Sequence, residues 1–173
     1  MIISLTGFMG CGKSSVGRRL SELLCCPFMD LDDIIEERAG RRIPEIFASE
    51  GEAGFRRMEA EALASLSSKE NQETERGVLA LGGGAVMTPS CAELVHEKTV
   101  CIYLRASVET LLAHLSGEAD GRPMLEGGSL RSRIEELMTL RSSTYEKTAH
   151  IIIDTDGKSI DSICQEIIAT VAQ

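Results

Sequence analysis

Apolar residues along this chain switch between two spacings, and the switches mark its elements. Ile2-Ile3-Ser4-Leu5-Thr6 is a short β-branched run that reads as a buried strand. Beyond Ser14 the apolar positions become Val16, Leu20, Leu23 and Leu24, the spacing of one helix face. The alternation then repeats. Pro27-Phe28-Met29-Asp30 predicts a second strand, and Ile34, Ile35 and Ala39 a short helix that stops at Gly40. Residues 43–48 form a short helical piece. Residues 51–67 form a longer one, with Phe55, Met58, Ala62, Leu63 and Leu66 on one side, and 67–77 read as a polar loop. Val78-Leu79-Ala80-Leu81 is the third strand, ending in Gly82-Gly83-Gly84. A short helix at 91–96, a strand at 99–104 and a helix from an N-cap at Ser107 to Leu115 follow. Residues 117–128 are glycine-rich and read as a mobile segment. A long helix at 130–147, a strand at 150–154 and a helix at 159–171 complete the chain.

Strands alternating with helices predict an α/β fold with a mostly parallel sheet. A length of 173 residues, 43% of them hydrophobic, suits a single domain with a substantial core. In such sheets ligands bind beyond the carboxyl ends of the strands. Asp30, Gly82 and the glycine-rich stretch after Thr6 all fall at such ends, so they are expected to converge.

Charge and cysteine usage narrow the partners. A net charge of −9 speaks against a nucleic-acid-binding surface, and an anionic substrate would need its own cluster of arginines. No run is long and apolar enough to span a membrane, and no secretory signal is expected, since the apolar start at Met1 runs straight into the first strand and its glycine-rich turn. The six cysteines (Cys11, Cys25, Cys26, Cys91, Cys101 and Cys164) contain no C-x-x-C pair, so reduced thiols in a cytoplasmic protein are expected. Cys11 has two readings, a thiol activated by a helix N-terminus or a small residue filling its loop, and the second asks for nothing further.

Gly7-Phe8-Met9-Gly10-Cys11-Gly12-Lys13-Ser14 matches G-x-x-x-x-G-K-[ST], the phosphate-binding P-loop, between a strand and a helix as the motif requires. The glycines let backbone N–H groups turn inward on phosphate oxygens, and the helix adds its positive end. Lys13 then reaches the β- and γ-phosphates and the Ser14 hydroxyl ligates Mg²⁺. Asp30 and Asp32 lie two apart at a strand end. If the chain stays extended there, both face one way and divide two tasks, holding Mg²⁺ and receiving a proton. Asp33 is read as a helix cap.

Arg56 and Glu59 are three apart on a predicted helix, so the carboxylate can hold the guanidinium for bidentate capture of an anion. The same pair also reads as an ordinary surface ion pair. Gly82-Gly83-Gly84 is either a flexible loop or a place where a ligand approaches the backbone. Arg141 shares a stripe with Ile134, Met138 and Tyr145, and a cation there needs a partner or a route to solvent. Arg122, in the glycine-rich segment, is either a surface cation or one that closes on a transferring phosphoryl group.

Taken in order, these motifs resemble the shikimate kinases: the P-loop, Phe28-Met29-Asp30-Leu31-Asp32, Phe55-Arg56-Arg57, Gly82-Gly83-Gly84, Arg122-Pro123-Met124-Leu125 and Arg141. The resemblance implies a five-stranded parallel sheet of order 2-3-1-4-5, like the nucleoside monophosphate kinases. It implies transfer of the ATP γ-phosphoryl group to the 3-hydroxyl of shikimate. By position, Gly10, Cys11, Gly12, Lys13, Ser14 and Ser15 would bind ATP, with Ser14 and Asp30 on Mg²⁺, Asp30 largely through water. Asp32 would bind shikimate hydroxyls and take the proton. Arg56 and Arg141 would grip the carboxylate, and Gly82, Gly83 and Gly84 would line the ring. Residues 31–62 would form the substrate-binding helical region and 117–128 a lid carrying Arg122. Where many members stack an arginine on adenine, this chain has His114, and the stretch around Asp156 would form the other wall. A monomer is expected. Two rival readings are a gluconate-type kinase of the same fold and a nucleotide-dependent switch. A switch has no use for the Asp32, Arg56 and Arg141 set.

Overall fold

A computed structural model of the chain describes residues 1–68, 76–116 and 129–173. The predicted lid and Arg122 lie outside the described residues, as does most of the polar stretch after residue 68. The sheet has the order β2-β3-β1-β4-β5 with every pairing parallel, as the resemblance implied. Its strands are β1 (Ile2–Thr6), β2 (Phe28–Asp30), β3 (Gly77–Ala80), β4 (Val100–Arg105) and β5 (Ile151–Asp154). The central strand β1 pairs Ile3 with Val78 on one side and with Val100 on the other. Being covered on both faces, it buries Ile3, Ser4, Leu5 and Thr6 alike, which is why it shows no polar alternation.

The helices are α1 (Lys13–Leu24), α2 (Leu31–Ala39), α3 (Ile43–Leu66), α4 (Pro89–Lys98), α5 (Val108–Leu115), α6 (Leu130–Thr148) and α7 (Ile160–Val171). A 3-10 turn, Ala85–Met87, follows the glycine run. α1 leaves the carboxyl end of β1 and returns along the sheet. Gly17 faces the Phe28 ring of β2, and a Cβ there would come within 2.5 Å of Cε2, so glycine sets how closely the helix docks.

One local reading changes. α2 begins at Leu31, three residues before the expected start, because the Asp30 carboxylate caps it by accepting the Asp32 N–H at 3.0 Å. The cap is therefore Asp30, not Asp33, and Asp32 and Asp33 lie in the first helical turn. The extended-chain argument for Asp30 and Asp32 does not hold; a helix start brings them together instead. The two helical pieces expected at 43–48 and 51–67 both form within α3 and meet at a break, where Gly51 takes φ 70° and ψ −177°. That left-handed φ is open to glycine at little cost.

Candidate active site

The P-loop turns on Gly10 (φ 80°) and Gly12 (φ 96°), both in the left-handed region. Gly12 is the N-cap of α1, so the N–H groups of the first turn, from Lys13 onward, have no partner within the helix. With Gly10, Cys11, Gly12, Ser14 and Ser15, they line a concavity at a helix N-terminus, the kind of arrangement that can receive phosphate oxygens. Lys13 is buried, and its Nζ donates to the carbonyl oxygens of Gly7 (2.8 Å) and Phe8 (2.9 Å). Cys11 is a free thiol, 4% exposed and packed into the core beneath the loop, which is the loop-filling reading.

Asp30 joins two elements. One carboxylate oxygen accepts the Ser14 hydroxyl at 2.7 Å, and the other caps α2. This hydroxyl–carboxylate pair beside the phosphate seat is a hard-oxygen donor set that fits Mg²⁺. Among the described residues no three His, Cys, Asp or Glu side chains cluster as metal ligands. Asp32 faces the same space with its carboxyl pushed up to about 6. Burial is the main cause, followed by the neighbouring Asp30 charge. Lys13 pulls the other way, and Glu59 and Glu36 add to the rise.

The glycine run packs into a ring of charged side chains. A Cβ on Gly82 would sit 2.9 Å from Asp32 Oδ1 and 3.0 Å from Glu59 Oε2. One on Gly83 would sit 3.2 Å from the Met9 backbone nitrogen and 3.6 Å from Arg141 Nη1, and one on Gly84 only 2.3 Å from Arg56 Nη2. The run is therefore not slack loop: it leaves the space that lets α2, α3 and α6 bring their charged groups to one point. Arg56 Nη1 donates to Glu59 Oε1 at 2.8 Å, and Glu59 is fully buried, so the pair is not a surface ion pair. Burial raises the Glu59 carboxyl, with Arg56 and Arg141 opposing. Arg141 is 4% exposed. Its Nη1 and Glu59 Oε2 are buried without hydrogen-bond partners among the described residues. Tyr145, one turn beyond Arg141, donates its hydroxyl to the Gly83 carbonyl oxygen and so fastens α6 to the run.

These groups line one cleft of about 910 Å³. At its P-loop end stand Thr110, His114, Thr155, Gly157 and Lys158. Asp156 does not line it; its carboxylate accepts the Ser107 N–H at 3.0 Å. At the opposite end stand Arg42, Ile43, Phe47 and Phe55, whose two rings lie 4.9 Å apart. The sequence did not single out Arg42, Phe47 or the Tyr145 hydroxyl as parts of the site. Only Tyr145 left a signal, its spacing of four from Arg141.

The glycine run gives a first test. Gly84 has φ −108° and ψ 6°, a backbone that alanine adopts without strain. Gly84→Ala is therefore expected to fold normally while driving the Arg56 guanidinium from Glu59. Binding of a carboxylate substrate should weaken by roughly ten- to a hundredfold, the worth of a charged hydrogen bond, with nucleotide binding unchanged. Calorimetric titration of both ligands checks this, and unaltered substrate affinity would remove Arg56 from the anion seat.

A parallel sheet of order 2-3-1-4-5 with a P-loop after its central strand and an arginine-lined pocket beside it defines a P-loop kinase of the nucleoside monophosphate kinase-like class. Comparison with known proteins narrows the class. The family model for shikimate kinase matches residues 9–172. The shikimate kinase of Thioalkalivibrio sulfidiphilus is 44% identical over 95% of this chain and 84% of its own length. That of Thermus thermophilus is 40% identical over 96% and 87%. Among solved structures, shikimate kinase from Acinetobacter baumannii in complex with shikimate superposes with a TM-score of 0.92 at 34% identity, over 99% of this chain and 92% of that one. The Aquifex aeolicus shikimate kinase gives 0.83 at 32% identity, over 99% and 96%. The chain belongs to the shikimate kinase family. Its reaction is transfer of the ATP γ-phosphoryl group to the 3-hydroxyl of shikimate, a step toward chorismate and the aromatic amino acids.

Proposed function

We propose that the phosphoryl transfer is divided among the residues of this one cleft as follows. The observation that carries the reading is the juxtaposition, across the glycine run, of the P-loop with Asp32, Arg56 and Arg141. The first-turn N–H groups of α1 and the Lys13 ammonium hold the ATP phosphates, Lys13 leaving the Gly7 and Phe8 carbonyls to do so. Ser14 and Asp30 hold Mg²⁺, which when bound neutralises charge on the β- and γ-phosphate oxygens. The unpartnered Arg141 Nη1 and the Glu59-braced Arg56 fork receive the shikimate carboxylate from two elements. Asp32 accepts hydrogen bonds from the shikimate hydroxyls and takes the proton of the attacking one; a raised pKa near 6 makes it a better base than a free aspartate while leaving it ionised at pH 7. The protein contributes chiefly positioning and charge neutralisation, because phosphoryl transfer offers it little covalent chemistry. Arg122 is assigned to the lid cation by its place in the family motif. Residues 31–62 form the acceptor side, and the enzyme works as a cytoplasmic monomer with MgATP as donor.

ADP release with MgATP against shikimate, quinate, gluconate and buffer tests the reading; turnover limited to gluconate, or equal with buffer alone, would overturn it. Arg56→Lys and Arg141→Lys each lose the planar fork. Each is expected to weaken shikimate binding by about 1.5–3 kcal/mol while leaving MgATP affinity near wild type. Equal losses for the two ligands, measured by calorimetry, would assign these arginines to the nucleotide.

A further inference from the structure

His114 occupies the last turn of α5, and its Nδ1 lies 2.7 Å from the Gly10 carbonyl oxygen of the P-loop, across 104 residues of sequence. A carbonyl oxygen only accepts, so Nδ1 carries the proton and donates it. Two further contacts bear on the same peptide. The N–H on its other side, that of Cys11, donates to the Phe8 carbonyl oxygen at 3.1 Å. The neighbouring side chain, Leu115, fills the space where a Gly10 Cβ would stand, with its Cγ at 2.7 Å. The Gly10–Cys11 peptide is thus held at both polar ends and packed on its flank.

This peptide needs holding. Gly10 sits at φ 80°, where glycine moves easily between conformations. A rotated peptide would turn the Gly10 carbonyl from α5 toward the seat formed by the next N–H groups. An acceptor oxygen there would repel phosphate, whereas the donors of Gly12 to Ser15 attract it. We infer that His114 is a positioning residue for nucleotide binding: through Nδ1–H it fixes the Gly10–Cys11 peptide, and so aims the P-loop donors. The inference rests on the reading of the loop as the ATP phosphate seat.

The test compares wild type with His114→Asn, His114→Gln and His114→Ala. An asparagine amide nitrogen can take the place of Nδ1, and a glutamine amide nitrogen that of Nε2. Affinities are measured for MgADP, for the base-free probe magnesium tripolyphosphate, and for shikimate, alongside thermal unfolding. His114→Ala and His114→Gln are expected to lose about fivefold or more in affinity for both phosphate ligands, from one neutral hydrogen bond. His114→Asn should stay within about twofold of wild type, and shikimate affinity should not move. A loss for MgADP but not tripolyphosphate would make His114 a base contact and overturn the inference. So would rescue by glutamine rather than asparagine, or wild-type affinity in His114→Ala. Failure of wild type itself to bind either phosphate ligand would instead overturn the assignment of the seat.

Discussion

Asp32→Asn is expected to lower turnover by roughly 10² to 10⁴ and, at the same time, to stabilise the ligand-free protein at neutral pH. The amide keeps the shape of the carboxylate and can still hydrogen-bond a hydroxyl, but it cannot take a proton from the attacking oxygen. Stability moves the other way because the folded protein raises the Asp32 pKa from 3.8 to about 6. The native state then binds this proton more tightly than the unfolded chain does. As pH rises from below 3.8 through 6, the unfolded chain ionises first, and the native state loses stability relative to it. The loss is complete above about pH 7 and is on the order of 1–3 kcal/mol for a shift of this size. Asn carries no ionisation cost, so the gain in melting temperature should be present at pH 8 and disappear near pH 3.5. Steady-state turnover and unfolding at those two pH values check both halves. An active Asp32→Asn enzyme would exclude Asp32 as the base, and a pH-independent stability change would exclude burial of its charge.

Lys13→Ala is expected to cost about 3–4 kcal/mol of transition-state stabilisation, roughly 10² to 10³ in turnover, the range for loss of one preorganised donor. Without ligand the ammonium rests on the Gly7 and Phe8 carbonyls of the same loop, within a side-chain rotation of the phosphates it is proposed to hold. Alanine leaves those two carbonyls facing the cleft, where water replaces the ammonium, and the fold should survive. Single-turnover transfer from MgATP to shikimate measures the chemical step, and circular dichroism confirms folding. A folded Lys13→Ala protein with near-normal single-turnover rate would sink the assignment of this loop to catalysis.

The features legible from the chain alone are those written in short-range spacing. The strand–glycine–helix order around Lys13, the burial of Arg141 on an apolar stripe and the five-strand alternation all follow from residues within a turn or two of each other. Periodicity records which face of an element is covered, so it fixes elements and faces even before their partners are known. The strand order, and the joining of these motifs into one shikimate site, became legible only through family resemblance, because no local spacing encodes which strand lies beside which.

The tertiary structure decided the rest. Asp30 and Asp32 come together because a cap starts a helix early, and an extended strand end and a helix start are close competitors in so polar a stretch. A side chain on Gly84 would displace Arg56, 28 residues earlier, from the space it fills. The Tyr145 hydroxyl meets the Gly83 carbonyl across 62 residues, and His114 meets Gly10 across 104. Such contacts depend on where the parallel crossovers set each helix against the sheet. That placement is a property of the whole packed core, so a single sequence names the residues with chemistry to offer but not which of them will touch.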